Sequence, residues 1–272
     1  MSGEIAYSLS RSRDRDPRAA FRQRRRLRMS IAGDSPCPAF PSKPERSMQD
    51  SKHRTLIRRI AARFCRPWHR DYARNKLRFD PAYAAVAALI ANSDKDLLDI
   101  GCGLGLLGFY LRELGFRGRY LGIDFDAPKI AEARRIAQAC DANLVFADGD
   151  ANALPAFCGN VIVLDVLHYL PAAEQQRLLR EAAARVGPGA LLIVRNVLRA
   201  RSWRFHATRF EEHFIYAIRW MRSPARHFPE RNEIEAPLLA AGLCVDVRPL
   251  WGNTPFNSFM IIARRDAVGS GG

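Results

Sequence analysis

Downstream of residue 95, short apolar runs alternate with stretches of helical periodicity. Leu97–Ile100, Arg119–Asp124, a run starting at Leu144, Asn160–Asp165 and Ala190–Val197 read as strands. Leu104–Leu114 and Ala172–Arg185 read as helices among them, and Gly187-Pro188-Gly189 punctuates the approach to the fifth strand. Strands that alternate with helices predict an α/β domain around a mostly parallel sheet. The chain closes with a helix over 232–241 and two strands, Leu243–Arg248 and Ser258–Arg264, near enough to pair antiparallel.

Two segments flank this core. In Lys52–Phe64, residues Leu56, Ile57, Ile60 and Phe64 fall on one face with arginines opposite, and Trp68–Pro81 continues the pattern. Between the fifth strand and the last helix lies an insert, 198–231, rich in aromatics: Trp203, Phe205, Phe210, Phe214, Tyr216, Trp220 and Phe228. Within it Thr208–Arg222 has helical spacing, with Phe210, Phe214, Ala217, Ile218 and Met221 on one side. An insert there sits at the carboxyl edge of the sheet, where open α/β folds bind ligands. It predicts an apolar acceptor pocket or lid, or a surface packed onto the domain.

The first strand carries Asp99 and runs into a turn holding Gly101, Gly103 and Gly105. Glycine is needed where backbone bends through positive φ or touches a ligand without an intervening Cβ. Two ligand classes use such a turn. Gly103-Leu-Gly105-Leu-Leu-Gly108 satisfies the dinucleotide pattern G-x-G-x-x-G. An acid two residues before the first glycine suits a cationic ligand better than a diphosphate. Asp124 ends the second strand 19 residues after Gly105, where a carboxylate can accept both hydroxyls of a ribose. Either ligand class would use it.

Asp99-Ile-Gly101-Cys-Gly103-Leu-Gly105 resembles the first motif, D/E-x-G-x-G-x-G, of the class I S-adenosylmethionine (SAM)-dependent methyltransferases. Gly149-Asp150-Ala151-Asn-Ala-Leu-Pro155 resembles that family's G-D-A-x-x-L-P segment, and Asp165-Val-Leu-His168-Tyr-Leu resembles its D-V-L-H-x-L segment. The resemblance covers about residues 95–265 and implies a doubly wound seven-stranded sheet of order 3-2-1-4-5-7-6, last strand antiparallel, helices on both faces. It implies SAM as cofactor, lying against Asp99, Gly101, Cys102, Gly103, Gly105, Asp124, Phe125, Asp150, Ala151 and Asp165. In the family the acid matching Asp150 accepts from the adenine amine and the next N–H donates to the ring, with Asp148 a nearby competitor here. The fourth-strand segment passes beneath the methionine end. The segment before the first strand often caps the cofactor, which by position points to Tyr72, Lys76 and Arg78.

The net charge of +15 is unevenly spread. Residues 1–50 hold 11 Lys+Arg and 6 Asp+Glu, residues 51–80 hold 10 and 2, and the other 192 hold 22 and 20. The basicity therefore belongs to an N-terminal extension, and no domain-wide nucleic-acid face is evident. The expected organisation is a disordered basic, Pro-rich tail over 1–50, a helical cap over 51–94, and a cofactor domain over 95–265. The insert 198–231 is its lid, and 266–272 forms a flexible end. The cap reads as a solvated basic face or as a docking surface for a membrane or an acidic carrier protein. Six cysteines without metal spacing, no secretory signal and no long apolar run predict reduced thiols and a cytoplasmic protein, peripheral at most to the inner face of a membrane.

Methyl displacement at carbon needs alignment above all, and a base only when the nucleophile must lose a proton. His168, just past the fourth strand, is the candidate base, followed by His206 and His213, with Tyr169 able to orient a hydroxyl. No metal is expected. Asp165-Val-Leu-His168 stands where a base N-methylating enzyme would carry D/N-P-P-Y/F, and no Pro-Cys lies near that strand. The expected acceptor is a small aromatic or lipid- or polyketide-like molecule methylated on O or C, free or on an acidic carrier. The chain also resembles methyltransferases of pigment and secondary-metabolite pathways. The alternatives are an RNA or protein methyltransferase recruited by the basic extension, a silent SAM-fold binding module and a nicotinamide enzyme.

Overall fold

A computed structural model describes residues 48–140, 143–151, 153–200, 202–205, 208, 225–252 and 257–265. The tail, most of the aromatic insert and the last seven residues lie outside it. Among the described residues three helices come first: α1 (Met48–Ala62), α2 (Pro67–Phe79) and α3 (Pro81–Ile90). The core follows as β1 (Leu97–Ile100), α4 (Leu106–Glu113), β2 (Tyr120–Asp124), α5 (Ala127–Gln138), β3 (Leu144–Asp148) and β4 (Asn160–Leu164). A 3-10 turn (Leu167–Tyr169), α6 (Ala172–Ala184), β5 (Leu191–Val197), α7 (Arg231–Ala240), β6 (Cys244–Pro249) and β7 (Ser258–Arg264) complete it.

The strands form one sheet of order β3-β2-β1-β4-β5-β7-β6. β1 to β5 pair in parallel, and β7 runs antiparallel to both β5 and β6. This is the order that the resemblance implies. β1 is buried along its whole length, as expected for a central parallel strand covered on both faces. On one face Leu178, Leu179 and Ala182 of α6 and Ile234 and Leu238 of α7 pack against Leu98, Val161, Val163, Leu192 and Ile261.

The other face is aromatic. Phe109 of α4 meets Phe64 edge-on at 6.2 Å and Phe146 of β3 at 5.6 Å, and Tyr120 of β2 lies 5.6 Å from Phe146. α1 and the turn after it dock over this layer through Ile60 and Phe64, both fully buried, and through Arg59 and Arg63, which pair with Glu113 of α4 at 2.7 and 2.5 Å.

The segment 52–81, continuous by periodicity, is broken twice, and each break precedes a proline at the first turn of the next helix. The residue before a proline disfavours helix, whereas proline at the first helical position costs no hydrogen bond. Asp80 caps α3 by accepting from the Ala82 N–H at 2.9 Å. The five described cysteines, Cys65, Cys102, Cys140, Cys158 and Cys244, are free thiols. Among the described residues no helix is long and apolar enough to cross a membrane.

One buried polar residue ties the turn after β4 to the base of α7. The Gln175 amide nitrogen lies 2.8, 3.0 and 2.8 Å from the carbonyls of Leu167, Leu170 and His227. Gln175→Leu preserves bulk but strips these carbonyls of their donor. It should lower unfolding stability by about 2–4 kcal/mol, read as an earlier urea midpoint with an unchanged slope.

Candidate active site

β1 and β4 are adjacent, and the helices that follow them pack on opposite faces, so a crevice opens at their carboxyl ends. It holds a cavity of about 450 Å³. One wall is the β1–α4 turn with Asp99, Gly101, Cys102, Gly103 and Asp124. The facing wall comes from α2 and the start of α3: Tyr72, Asn75, Lys76, Phe79, Asp80 and Tyr83. Leu107, Lys129, Leu164, Asp165, Tyr169, Arg195, Thr208 and Ser258 are among the other lining residues.

In the first wall all three glycines adopt left-handed backbone, with φ of 78° at Gly101, 56° at Gly103 and 71° at Gly105. They differ in what surrounds them. A Cβ at Gly101 would collide with the Val166 side chain, and one at Gly105 would sit 2.5 Å from the Phe146 ring. A Cβ at Gly103 would meet nothing within 4 Å. Two glycines thus seat the turn against the protein, and the third turns bare backbone towards open space. Asp124 locks the geometry, accepting from the Gly103 and Asp126 N–H groups, each at 2.8 Å.

Asp99 is buried and accepts from the Tyr120 hydroxyl. Burial pushes its carboxyl up to about 7, assisted by the nearby Asp124 charge and opposed by the Tyr120 hydrogen bond. A cationic ligand group placed beside it would reverse that shift, so the first wall fits a ligand with a positive group and a sugar. Burial likewise raises the Cys102 thiol well above its ordinary value, which makes it a packing group rather than a thiolate.

The second wall is a charge-balanced network. Lys76 Nζ lies 2.8 Å from Asp80 and 3.5 Å from Asp165. The Arg195 guanidinium pairs with Asp165, reaches Asp80 at 3.3 Å and donates to the Ser258 hydroxyl at 3.0 Å. Burial alone would depress Lys76, yet Asp80 and Asp165 hold its ammonium well above the usual lysine value. Asp165 stands at φ 58°, the one described non-glycine residue with left-handed backbone, and its N–H donates to the Arg195 carbonyl. Aspartate tolerates that region better than most residues, but strain of this kind concentrates at functional sites. Tyr72 is pushed up by burial, so its hydroxyl stays protonated near neutral pH.

The structure thus gathers Asp99, Gly101, Cys102, Gly103, Asp124, Asp165, Tyr72 and Lys76 around one cavity, with Gly105 closing the turn behind them. Phe125, Asp150 and Ala151 lie outside its lining. Phe125 and Asp150 are exposed, and Asp148 is taken by Arg134 at 2.9 Å. Arg78 is exposed beyond the rim.

His168 is also outside the lining. Its ring is 1 % exposed, stacks on Phe228 and sits 2.9 Å from Asn196 Oδ1 through Nδ1. Its carbonyl accepts from the N–H groups of Arg226 and His227. This is the environment of a residue that joins β4, β5 and the base of the insert. His206 and His213 lie outside the described residues. Asp80, Arg195 and Ser258 are site residues that the motifs did not indicate.

Residues 97–189 match the family model described as a methyltransferase domain. Demethylmenaquinone methyltransferase of Thermus thermophilus is 32% identical over 114 residues, 40% of this chain and 50% of that protein. The chain thus spans half the length of the curated relative that it matches. The magnesium protoporphyrin IX methyltransferase of Synechocystis PCC 6803, solved with bound SAH, is 18% identical, with TM-score 0.54 over 91% of this chain and 95% of that one. An O-methyltransferase family protein from Burkholderia thailandensis is 18% identical, with TM-score 0.56 over 78% and 64%. Residues 97–189 are therefore similar to a methyltransferase domain, and the chain shares its fold with these solved methyltransferases.

The Asp99 environment predicts a pH signature. The folded protein holds a proton on Asp99 up to about pH 7, whereas the unfolded chain releases it near 3.8. Asp99 therefore favours folding most below the lower value, and that contribution is lost as pH rises towards 7. Asp99→Asn keeps an acceptor for Tyr120 but cannot ionise. Urea titrations at pH 5 and pH 8 should show a smaller stability drop in the variant than in the wild type.

Proposed function

We propose that this protein moves a methyl group from SAM to an O or C nucleophile of a small aromatic, lipid-like or polyketide-like acceptor. The observation that carries this reading is the two-walled cavity. It has bare backbone at Gly103 and a buried acid on one side, and a charge-balanced polar network among apolar side chains on the other. Its volume of about 450 Å³ is that of a small-molecule site. The methyltransferase-domain match supports the reaction class, and the names of the demethylmenaquinone, magnesium protoporphyrin and O-methyltransferase relatives support a small acceptor.

Bound in the first wall, the cofactor supplies a methyl group activated by a sulfonium. Asp99 faces its cationic amino group, and Asp124 accepts from the ribose hydroxyls with the lone pairs left after Gly103 and Asp126. Gly101, Cys102 and Gly105 shape the turn. Phe125, Asp150 and Ala151 would hold the adenine. Tyr72 and Lys76 would hold the methionine end, and Asp165, in the same lining, would face the acceptor.

The acceptor lies between Asp165 and the apolar wall of Phe79, Leu107 and Leu164, which excludes water from the reacting atoms. In this reading Asp165, rather than the buried His168, receives the proton of the acceptor; His206 and His213 are the further candidates. Lys76 and Arg195, both beside Asp165, stabilise the oxyanion that forms, which suits acceptors such as phenols and enols. Whether the acceptor is carrier-bound changes none of these roles.

Asp124→Ala should weaken S-adenosylhomocysteine binding by about 10- to 150-fold, the worth of a charged bidentate hydrogen bond of about 1.5–3 kcal/mol. Gly103→Val should abolish binding. Wild-type affinity in both variants would sink the cofactor assignment. Asp165→Asn should leave that affinity within about threefold and cut turnover by about a hundredfold or more. Unchanged turnover removes Asp165 from the chemistry.

A further inference from the structure

The cap helices carry a second feature that methyl transfer does not use. Arg54 and Arg58 are one helical turn apart on α1, and Arg74 and Arg78 one turn apart on α2, so each pair shares a face. All four are exposed and line a groove of about 370 Å³ between the two helices, with buried Ile57 as its floor. Arg74 pairs with Asp71 at 3.0 Å. Among the described residues, Arg54, Arg58 and Arg78 have no carboxylate within 4.0 Å. The segment 51–80 has ten basic residues against two acidic ones. Such a concentration of cations with little internal compensation complements a dense anionic surface.

Two exposed aromatics decide what kind of surface. Trp68 and Phe79 of α2 are 58% and 63% exposed. They are eleven residues apart, about three turns, so they project from the same side of the helix. Phe79 also lines the cavity, and the Arg78 guanidinium lies 5.2 Å above its ring. The groove and the mouth of the cavity are therefore neighbours along α2. Arginines attract phospholipid headgroups, and tryptophan and its relatives settle at the headgroup level. An acidic protein would satisfy the arginines but leaves the aromatic pair beside the cavity mouth unexplained.

We propose that the arginine groove between α1 and α2, with Trp68 and Phe79 as aromatic anchors, docks this protein on an anionic lipid bilayer, so that the acceptor enters the cavity from the lipid. The delivery step rests on the reading of the cavity as the acceptor site; the docking step does not. Because the apolar faces of α1 and α2 are spent on the domain, docking is electrostatic and reversible rather than an insertion of either helix.

The test is co-sedimentation of the full chain with neutral phosphatidylcholine vesicles and with vesicles containing about 30 mol % phosphatidylglycerol, at low and high salt. We expect binding to the anionic vesicles alone, lost at high salt. Each arginine contributes about fivefold, so Arg54→Glu/Arg58→Glu/Arg74→Glu should weaken binding by about a hundredfold or more. Trp68→Ser should weaken it further, and S-adenosylhomocysteine affinity should be unchanged in both variants. The docking proposal is overturned if neither vesicle binds, if neutral vesicles bind equally, or if the triple variant binds like wild type, which would assign binding to the tail. If the wild type binds anionic vesicles but not S-adenosylhomocysteine, docking stands and the cofactor reading fails.

Discussion

The site depends on a backbone constraint: the turn after β1 must lie flat against the ends of β2, β3 and β4 at once. Val166, just past β4, leaves no room for a side chain at Gly101, and Phe146 of β3 leaves none at Gly105. Asp124, at the end of β2, takes the Gly103 N–H. Between these contacts only one stretch of backbone is left bare, and it faces the cavity. A ligand can approach main-chain atoms there because the neighbouring glycines are pinned from behind. Asp99 is placed by the same constraint, since the fully buried β1 sets its carboxyl against the Tyr120 hydroxyl, beside the cavity and near Asp124.

The second wall is governed by electrostatics rather than sterics. Arg195 sits on β5, Asp165 follows β4, Asp80 caps α3 and Lys76 lies in the last turn of α2. Two cations and two carboxylates from four elements neutralise one another in a place with little water. Burying any of them alone would cost several kcal/mol, whereas the set is tolerated because each charge has a partner. The network therefore couples the cap to the sheet: the lid over the cavity is held by the same charges that would meet the acceptor.

Much of this was legible in the chain. The glycine spacing, the acids ending β1 and β2, and the alternation of apolar runs with helical stretches locate the first wall, because each is a local pattern with a local cause. The sheet order came from the family likeness, since periodicity alone cannot say which strands are neighbours. The second wall was mostly hidden. Arg195 carried a signal, a lone cation inside a mostly apolar strand, but its carboxylate partners lie 30 and 115 residues away. Asp80 caps α3 through one oxygen, and only its second oxygen, beside Lys76 and Arg195, brings it into the site. Pro67 and Pro81 also marked two helix starts that the continuous periodicity concealed. For His168 the motif fixes a place just past β4, not whether the ring turns into the cavity or towards Asn196.

The central claim is that the bare backbone at Gly103 and the acids beside it form a cradle for a cationic nucleoside. Calorimetric titration of the purified chain with S-adenosylhomocysteine, with NADH in parallel, tests it most directly. The account predicts one-to-one micromolar binding of the former and none of the latter. Binding of NADH, or of neither, would contradict it.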